Sequence, residues 1–280
     1  MTIPITNFLT TPPPPTAHLH PIDFEHSSPP LPEYKNLCAA IIDNAFTETE
    51  CAQLIHLAER STIPPSTPTA NPIWDRALIN IGNGKQALAT DTRNCGRIIY
   101  DDSLIAERIL TRILPFLQQL GIEKIDNQPR VTGLAGRNKT FELTRLNERL
   151  RFLRYEGGEY FRPHWDGNYV TPDGKERSYY TVQVYLNGGG EQDLKVLGRE
   201  MKRLEVEGGG KGNLDVQGEL LGGATSFLPR YEEKERHLRV FPKMGSVLVF
   251  QQRDLLHGGD PVVRGVKYTL RTDVMYRLCE

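Results

Sequence analysis

The sequence has 280 residues, of which 38% are hydrophobic and 25% are charged, and its formal net charge is −1. This composition is ordinary for a soluble globular protein with a sizeable core. It contains no basic tract that would indicate nucleic acid, and no apolar run approaches the roughly 20 residues needed to span a bilayer. The start of the chain also lacks the features of a signal peptide. We therefore expect an intracellular protein, cytoplasmic or nuclear, with neither nucleic acid nor a membrane among its partners.

The first 33 residues are rich in proline, with the runs PPPP and SSPPLP, and they lack apolar periodicity. Such a segment does not predict a packed element, so we interpret residues 1–33 as a disordered tail. His18, His20 and His26 lie in it and are interpreted as solvated side chains rather than metal ligands. The four cysteines are scattered without a CxxC pair, which favours free thiols over a zinc knuckle or a disulfide scaffold.

Two amphipathic helices are predicted in the region 34–144, which we interpret as a helical support region. The first follows a capping box formed by Thr47 and Glu50, with apolar residues at helical spacing behind it. The second begins near Asp102, carries apolar residues at the same spacing and contains Pro115, which can kink a helix.

After about residue 145 the pattern changes to short runs rich in β-branched and aromatic residues, separated by Gly, Pro and Asn. The predicted strands are RLRFLRY, SYYTVQVYLN, ATSFL, LRVF, GSVLVF and KYTLRTDVMY. Their number and spacing predict a double sheet or jelly roll over residues 145–280, with the earlier helices packed on its outside. The predicted fold class is α+β, with residues 34–280 forming a single domain around a double-stranded β-helix.

Three residues of the β half form a candidate metal site. His164 and Asp166 lie two residues apart in RPHWDGNY, and His257 follows in LLHGGDP. Residues i and i+2 of an extended chain point to the same face, so the pair can present an imidazole and a carboxylate to one ion. Two imidazoles and one carboxylate leave open positions on Fe(II), as catalysis requires. An HxD with a later histidine often arises by chance, but Lys267, ten residues after His257, could pair with the far carboxylate of a chelated dicarboxylate.

The motifs YEGGEYFRPHWD, TVQVYLN, GGATSF, PKMGSVLVF and HGGDPVVRGVK occur in the order found in the prolyl 4-hydroxylase-type Fe(II)/2-oxoglutarate-dependent dioxygenases, and the sequence resembles that superfamily from about Ile41 to Tyr276. The resemblance implies that His164, Asp166 and His257 bind iron. It also implies that Tyr155 and Lys267 contact 2-oxoglutarate, with Tyr185 as a further contact. The implied cofactors are Fe(II), 2-oxoglutarate as co-substrate, O2 and, as an additional reductant, ascorbate. The implied reaction hydroxylates a C–H bond and releases succinate and CO2.

Several assignments around this site stay open at the level of sequence. Arg271 shares a strand face with Lys267 and competes with it as the anchor for 2-oxoglutarate, although Lys267 is favoured. By resemblance, substrate contacts are placed at Glu148 and, more loosely, at Arg93 and Arg177.

The stretch from Gly188 to Leu221 is longer than the corresponding segment of the superfamily and is flanked by glycines. Long loops of this kind are either plain surface loops or functional elements, and the glycines could serve as hinges. We therefore retain two interpretations of this insertion, a surface loop and a lid over the substrate.

Two other functions are compatible with the same residues. A zinc-dependent hydrolase or cupin-like enzyme could use the triad to activate water. A non-catalytic module could have kept the oxygenase scaffold to bind a peptide. Within the oxygenase interpretation, the substrate is either a prolyl or other peptide or a small molecule, because substrate choice depends on loops that the motifs do not determine.

Overall fold

The computed structural model describes residues 5–82, 85–206, 215–233 and 235–279. The strands are β1 (His18–Pro21), β2 (Ala39–Asp43), β3 (Asp75–Arg76), β4 (Ile79–Asn80), β5 (Gln86–Ala87), β6 (Arg93–Asn94), β7 (Gly96–Asp101), β8 (Lys124–Asp126), β9 (Thr140–Leu146), β10 (Arg149–Glu156), β11 (Tyr160–His164), β12 (Glu176–Tyr185), β13 (Leu221–Gly222), β14 (Thr225–Phe227), β15 (Leu238–Val240), β16 (Val247–Gln251), β17 (His257–Gly259), β18 (Val262–Arg264) and β19 (Val266–Leu278). The helices are α1 (Glu48–Ser61), α2 (Ser103–Gln119), α3 (Pro129–Thr132) and α4 (Leu194–Val206), and short 3-10 turns cover Ile5–Asn7, Pro32–Tyr34 and Leu134–Gly136.

Two antiparallel sheets form the β core. The large sheet has the strand order β1-β2-β16-β12-β19-β10-β7-β3, and β9 joins it through β19, with β8 beside β9. The small sheet has the order β15-β14-β17-β11-β6. Non-consecutive neighbours in both sheets are typical of a jelly roll, which confirms the predicted β core. Each of the six strands predicted from the sequence after residue 145 is present, as β10, β12, β14, β15, β16 and β19.

Alternation along the central strands gives the large sheet two different faces. On β10, Leu150 and Phe152 point into the main apolar cluster, whereas Leu153 and Tyr155 belong to a separate cluster on the opposite face. The same period of two holds on β19, where Leu270 belongs to the main cluster and Lys267, Thr269 and Arg271 line a cavity with residues of the small sheet. The inner face therefore carries polar groups between the two sheets.

Helices α1 and α2 share the main apolar cluster with strands of the large sheet. Thr47 and Glu50 form the predicted capping box at the start of α1, and Asp102 caps α2 through Ile105 N at 2.9 Å. Leu54 and Ile109 are among the helical residues buried in the main cluster, together with strand residues of the large sheet. Arg112 of α2 and Glu50 form a buried ion pair at 2.8 Å, which joins the two helices. Among the described helices, none has both the length and the apolar character that a membrane crossing requires.

The N-terminal segment differs from the predicted disordered tail. From residue 5 onward it is packed: β1 pairs with β2 at the edge of the large sheet, and Phe8, Phe24 and Leu31 are fully or almost fully buried. Its apolar residues are separated by prolines and follow no period, so a sequence pattern does not reveal them. Phe24 and Leu31 are buried because they pack on a cluster contributed by later strands.

The region 34–144 also differs from the predicted helical support, because it supplies strands to both sheets. β2, β7 and β9 extend the large sheet, and β6 pairs with β11 at the edge of the small one. These segments are short or half-exposed, and their burial depends on partners far along the chain.

The described part of the insertion from Gly188 to Leu221 forms α4. Leu197 packs there against Leu221, Phe241 and Val263, next to the β13–β18 pair. Residues 207–214 of the insertion lie outside the described residues, and the lid interpretation rests partly on them.

Candidate active site

Two neighbouring strands and the loop after one of them bring the predicted triad together. His164 ends β11, His257 begins β17, and these two residues are paired across the small sheet. Asp166 follows two residues after His164. The Nε2 atom of His164 lies 3.5 Å from Oδ1 of Asp166, and Nε2 of His257 lies 3.7 Å from Oδ2 of the same carboxylate. The first separation falls in the range of roughly 3 to 3.5 Å between neighbouring ligand atoms that each lie about 2.1 Å from a metal ion, and the second places His257 beside the same carboxylate.

Backbone carbonyls fix the orientation of both imidazoles. Nδ1 of His164 is 2.9 Å from the carbonyl of Arg162, and Nδ1 of His257 is 3.0 Å from the carbonyl of Leu255. A carbonyl accepts only from a protonated nitrogen, so these contacts leave the Nε2 lone pairs directed towards Asp166. Burial lowers the pKa of His257 to about 4, although the Asp166 charge opposes this effect. The buried imidazole is thus neutral, as a metal ligand must be.

Asp166 is held by groups on the inner face of the large sheet. Its Oδ2 accepts a hydrogen bond from the Thr181 hydroxyl at 2.7 Å and lies 2.8 Å from a guanidinium nitrogen of Arg271. Burial alone would raise the pKa of Asp166, but the neighbouring Arg271 guanidinium is the main group that holds it well below its usual range. The carboxylate therefore stays ionised, with Oδ2 occupied by Thr181 and Arg271 and Oδ1 facing His164.

A cation lines the same cavity as the two histidines of the triad. Lys267 is only 3% exposed, and its Nζ lies 5.2 Å from the ring centre of Tyr155 and 5.8 Å from that of Tyr185. Burial lowers its pKa to about 8. Next on this strand face, the buried Thr269 hydroxyl has no hydrogen-bond partner within the described part of the chain. A buried polar group without a partner is costly, so this hydroxyl fits a ligand that accepts a hydrogen bond, such as a carboxylate.

The remaining predicted site residues divide into two groups. Tyr155 and Arg93 line the cavity, and the Arg93 guanidinium lies over the Phe161 ring at 4.5 Å. Tyr185 lies directly behind the cavity wall, because its hydroxyl donates to the lining residue Thr225 at 2.7 Å and its ring centre is 5.8 Å from Lys267 Nζ. Glu148 and Arg177 are not brought to the cavity: Glu148 pairs with Arg145, and Arg177 lies exposed on β12. The resemblance placed Glu148 by its position in the motif order and Arg177 only loosely, and in neither case did it determine the face on which the side chain lies.

Three polar residues of the site were missed in the sequence. Thr181 and Gln183 lie on the inner face of β12, and Thr269 lies on that of β19. Gln183 donates to Thr225 at 2.8 Å and so contributes to the cavity wall. For Thr269 the sequence did contain a signal, because this residue lies midway between Lys267 and Arg271. Alternate residues of a strand share one face, so Thr269 belongs to the face of the two cations.

An exposed aromatic pair lies beside the metal ligands. Trp165, between His164 and Asp166, is 54% exposed and packs edge-to-face on Tyr231, whose exposure is 48%, with ring centres 5.6 Å apart. A wider groove of about 1110 Å³ lies elsewhere, lined by Arg154, Tyr268 and the ends of the insertion. The lining of that groove includes none of the triad residues.

One known family matches the part of the chain that carries this site. A family model described as the 2OG-Fe(II) oxygenase superfamily matches residues 150–272. Over this segment, which is less than half of the chain, the sequence is similar to that superfamily. The superfamily predicted from the sequence is thus confirmed, and with it the predicted Fe(II), 2-oxoglutarate and O2. All three triad residues, Lys267 and Arg271 fall inside the matched oxygenase segment.

Individual relatives are prolyl hydroxylases by name. A probable prolyl 4-hydroxylase 3 of Arabidopsis thaliana is 27% identical over 130 residues, which cover 44% of this chain and 40% of the relative. The chain therefore spans less than half of the length of this curated relative. Similar solved structures include a collagen prolyl hydroxylase of Paramecium bursaria Chlorella virus-1 in a 2-oxoglutarate complex, with TM-score 0.45, 17% identity and coverage of 85% of this chain and 96% of that one. A prolyl-4-hydroxylase of Pseudomonas putida gives TM-score 0.47, 16% identity and coverage of 86% and 95%.

Proposed function

We propose that this protein is an Fe(II)- and 2-oxoglutarate-dependent dioxygenase that hydroxylates an unactivated C–H bond. The observation that supports this most strongly is the common cavity of a His-Asp-His donor set and a buried lysine. A metal site alone would suit many reactions. A metal site with a desolvated cation a short distance away suits a co-substrate that chelates with one end and carries a carboxylate at the other.

In this proposal His164, Asp166 and His257 hold the iron. The iron, together with 2-oxoglutarate and O2, supplies an oxidant strong enough to attack a C–H bond, with succinate and CO2 as co-products. Thr181 and Arg271 orient the Asp166 carboxylate by occupying Oδ2, so that Oδ1 is the oxygen presented to the metal. Arg271 thus acts on a metal ligand, and we assign the co-substrate anchor to Lys267.

Lys267 and Thr269 bind the distal carboxylate of 2-oxoglutarate in this proposal. The ammonium supplies a charge-assisted hydrogen bond, and the Thr269 hydroxyl, which has no partner among the described residues, supplies a second donor. Tyr155 forms the adjoining wall. The cavity is closed by apolar and aromatic side chains such as Phe250 and Phe161, which exclude water and strengthen these interactions.

We further propose a peptide, with a prolyl side chain as the first candidate, as the substrate, and a small molecule as the alternative. The curated relative is named a probable prolyl 4-hydroxylase, and one similar solved structure, from Trichoplax adhaerens, is described as a prolyl hydroxylase in complex with a peptide fragment. In this chain the exposed Trp165 and Tyr231 offer aromatic faces beside the metal ligands, and a prolyl ring can pack against such faces.

The test is substrate-dependent conversion of 2-oxoglutarate to succinate. Purified protein with Fe(II), O2 and 2-oxoglutarate is incubated with a panel of prolyl peptides and small metabolites, and Asp166→Ala is run beside it as control. We expect at least one substrate class to stimulate succinate formation in the unaltered protein alone, with a mass increase of one oxygen atom in the substrate. Hydrolysis of a substrate with Zn2+ and without 2-oxoglutarate would support the hydrolase instead. Peptide binding without any turnover would support the non-catalytic module.

A further inference from the structure

A second cluster of two histidines and one aspartate lies at the edge of the large sheet. His18 and His20 alternate on β1 with Leu19, which packs inward, so both imidazoles point outward. Asp43 of β2 is the direct partner of His18 across the strand pair. The Nε2 atoms of His18 and His20 lie 3.8 and 3.4 Å from Oδ2 of Asp43. We propose that His18, His20 and Asp43 form a second divalent-metal site, suited to Zn2+, outside the oxygenase cavity.

The ligand spacing supports a metal rather than an accidental contact. Neighbouring ligands of tetrahedral Zn2+ lie roughly 3.3 Å apart when each is about 2.0 to 2.1 Å from the ion. The two separations to Asp43 are close to this value, and the candidate ligand atoms of the three residues all lie within 4.8 Å of one another. Three protein ligands leave one position for water, and an imidazole and carboxylate set suits Zn2+ among the common cellular metals.

The hydrogen bond of His18 provides a second, independent observation. Its Nδ1 lies 2.8 Å from the carbonyl of Thr16, two residues earlier in the chain. His164 and His257 make the same contact with the carbonyls two residues before them. In each case the carbonyl fixes the protonated nitrogen, which leaves Nε2 free to bind a cation. His18 is therefore oriented in the same way as the two histidines of the oxygenase cavity.

Lys243 is the group that competes for this site. Its Nζ lies 3.0 Å from Oδ1 of Asp43, the oxygen that does not face the histidines. Lys243 is 43% exposed, so it can turn into solvent when a divalent ion neutralises the carboxylate. The metal would join β1, the outermost strand of the large sheet, to β2. Because it binds only the folded arrangement, it would stabilise the attachment of the N-terminal segment.

The experiment counts bound Zn2+ by equilibrium dialysis in the micromolar range, using full-length variants. His164→Ala/Asp166→Ala removes the cavity site, and we expect this protein to keep one Zn2+ per chain and to gain several degrees of thermal stability from it. Adding His18→Ala/His20→Ala should abolish both effects. His26→Ala is the matched control, since this exposed histidine of the same segment pairs with Asp23 and lies outside the cluster. Lys243→Ala should tighten Zn2+ binding severalfold.

The possible results separate the two sites. Loss of all Zn2+ binding in His164→Ala/Asp166→Ala would overturn the second site, as would Zn2+ binding that survives His18→Ala/His20→Ala in that background. The inference does not depend on the proposed oxygenase activity. His18→Ala/His20→Ala alone should retain 2-oxoglutarate turnover, because none of the three surface residues lines the oxygenase cavity.

Discussion

The protein presents the same donor set in two different surroundings. His164, Asp166 and His257 lie between two sheets, with the Asp166 carboxylate only 4% exposed. His18 and His20 lie on an edge strand with about half of each side chain exposed, although Asp43 between them is largely covered. Both clusters join two imidazoles to one carboxylate, and carbonyls orient histidines in both. The difference is the rest of the cavity, since only the buried cluster faces a desolvated cation that can hold a co-substrate.

This comparison separates metal binding from catalysis. A donor set binds an ion wherever the spacing is right, but oxygenase chemistry also needs a second binding point and exclusion of water. The two clusters also differ in the cation that pairs with their carboxylate. Arg271 is fixed between Asp166 and Asp273 inside the protein, whereas Lys243 reaches Asp43 from the surface and is free to leave.

The largest expected effect follows from removing the carboxylate of the buried cluster. Asp166→Ala should reduce oxygenase turnover to background and most of the iron affinity should be lost, while circular dichroism shows a folded protein. Asp166→Glu should fail as well, because one added methylene displaces the carboxylate by more than metal coordination tolerates. Full turnover by either variant would contradict the assignment of Asp166. The same change at Asp43 should leave turnover intact.

The next largest effect is expected from removing Lys267, the proposed anchor for the distal carboxylate of 2-oxoglutarate. Lys267→Ala should raise the 2-oxoglutarate requirement roughly ten- to a hundredfold, since a charge-assisted hydrogen bond to a desolvated carboxylate is worth about 1.5 to 3 kcal/mol. Iron affinity, measured by titration without 2-oxoglutarate, should barely change. The matched control is Arg271→Ala, which should weaken iron instead. The reverse pattern would mean that Arg271, rather than Lys267, anchors the co-substrate.

A smaller effect is expected for the hydroxyl that holds Asp166. Thr181→Val keeps the side-chain shape and removes the hydrogen bond to Oδ2. Loss of such an orienting partner typically costs ten- to a hundredfold in metal affinity, and we expect the lower end because Arg271 remains. Thr272→Val, on the outer face of the same sheet, is the control for a buried threonine outside the cavity. Equal iron affinities for Thr181→Val and the unaltered protein would show that Arg271 suffices alone.

The smallest effect is a pH dependence of co-substrate binding. Burial lowers the pKa of Lys267 to about 8, so its charge is lost as the pH rises through that value. A bound carboxylate favours the charged form, so binding takes up a proton above pH 8 and the affinity falls. With a pKa of about 8, only about one tenth of the lysine is charged at pH 9. We therefore expect 2-oxoglutarate binding to be about tenfold weaker at pH 9 than well below pH 8. Lys267→Arg should bind with little change over the same range, since arginine keeps its charge. An unchanged affinity at pH 9 in the unaltered protein would exclude this linkage.

The β core and the triad were predictable because their signals are local. Strands such as β12 and β19 alternate over long stretches, and the motif around His164 places two ligands two residues apart at the end of a strand. The N-terminal segment was not predictable, since the cluster that buries Phe24 and Leu31 is contributed largely by strands far along the chain, such as β14 and β16. The same holds for the surface cluster. His18 and His20 have no visible partner in the sequence until β1 pairs with β2 and brings Asp43 next to them.

The most direct test of the buried cluster is anaerobic titration of the iron-loaded protein with 2-oxoglutarate. A bidentate oxoacid on Fe(II) gives a visible charge-transfer absorption, which neither Zn2+ nor a site without chelation produces. We predict a saturable absorption with one 2-oxoglutarate per chain, which is absent in Asp166→Ala, shifted to higher concentration in Lys267→Ala and unchanged in His18→Ala/His20→Ala. If iron binds in the cavity and no such absorption develops at any 2-oxoglutarate concentration, the protein is not a 2-oxoglutarate-dependent oxygenase.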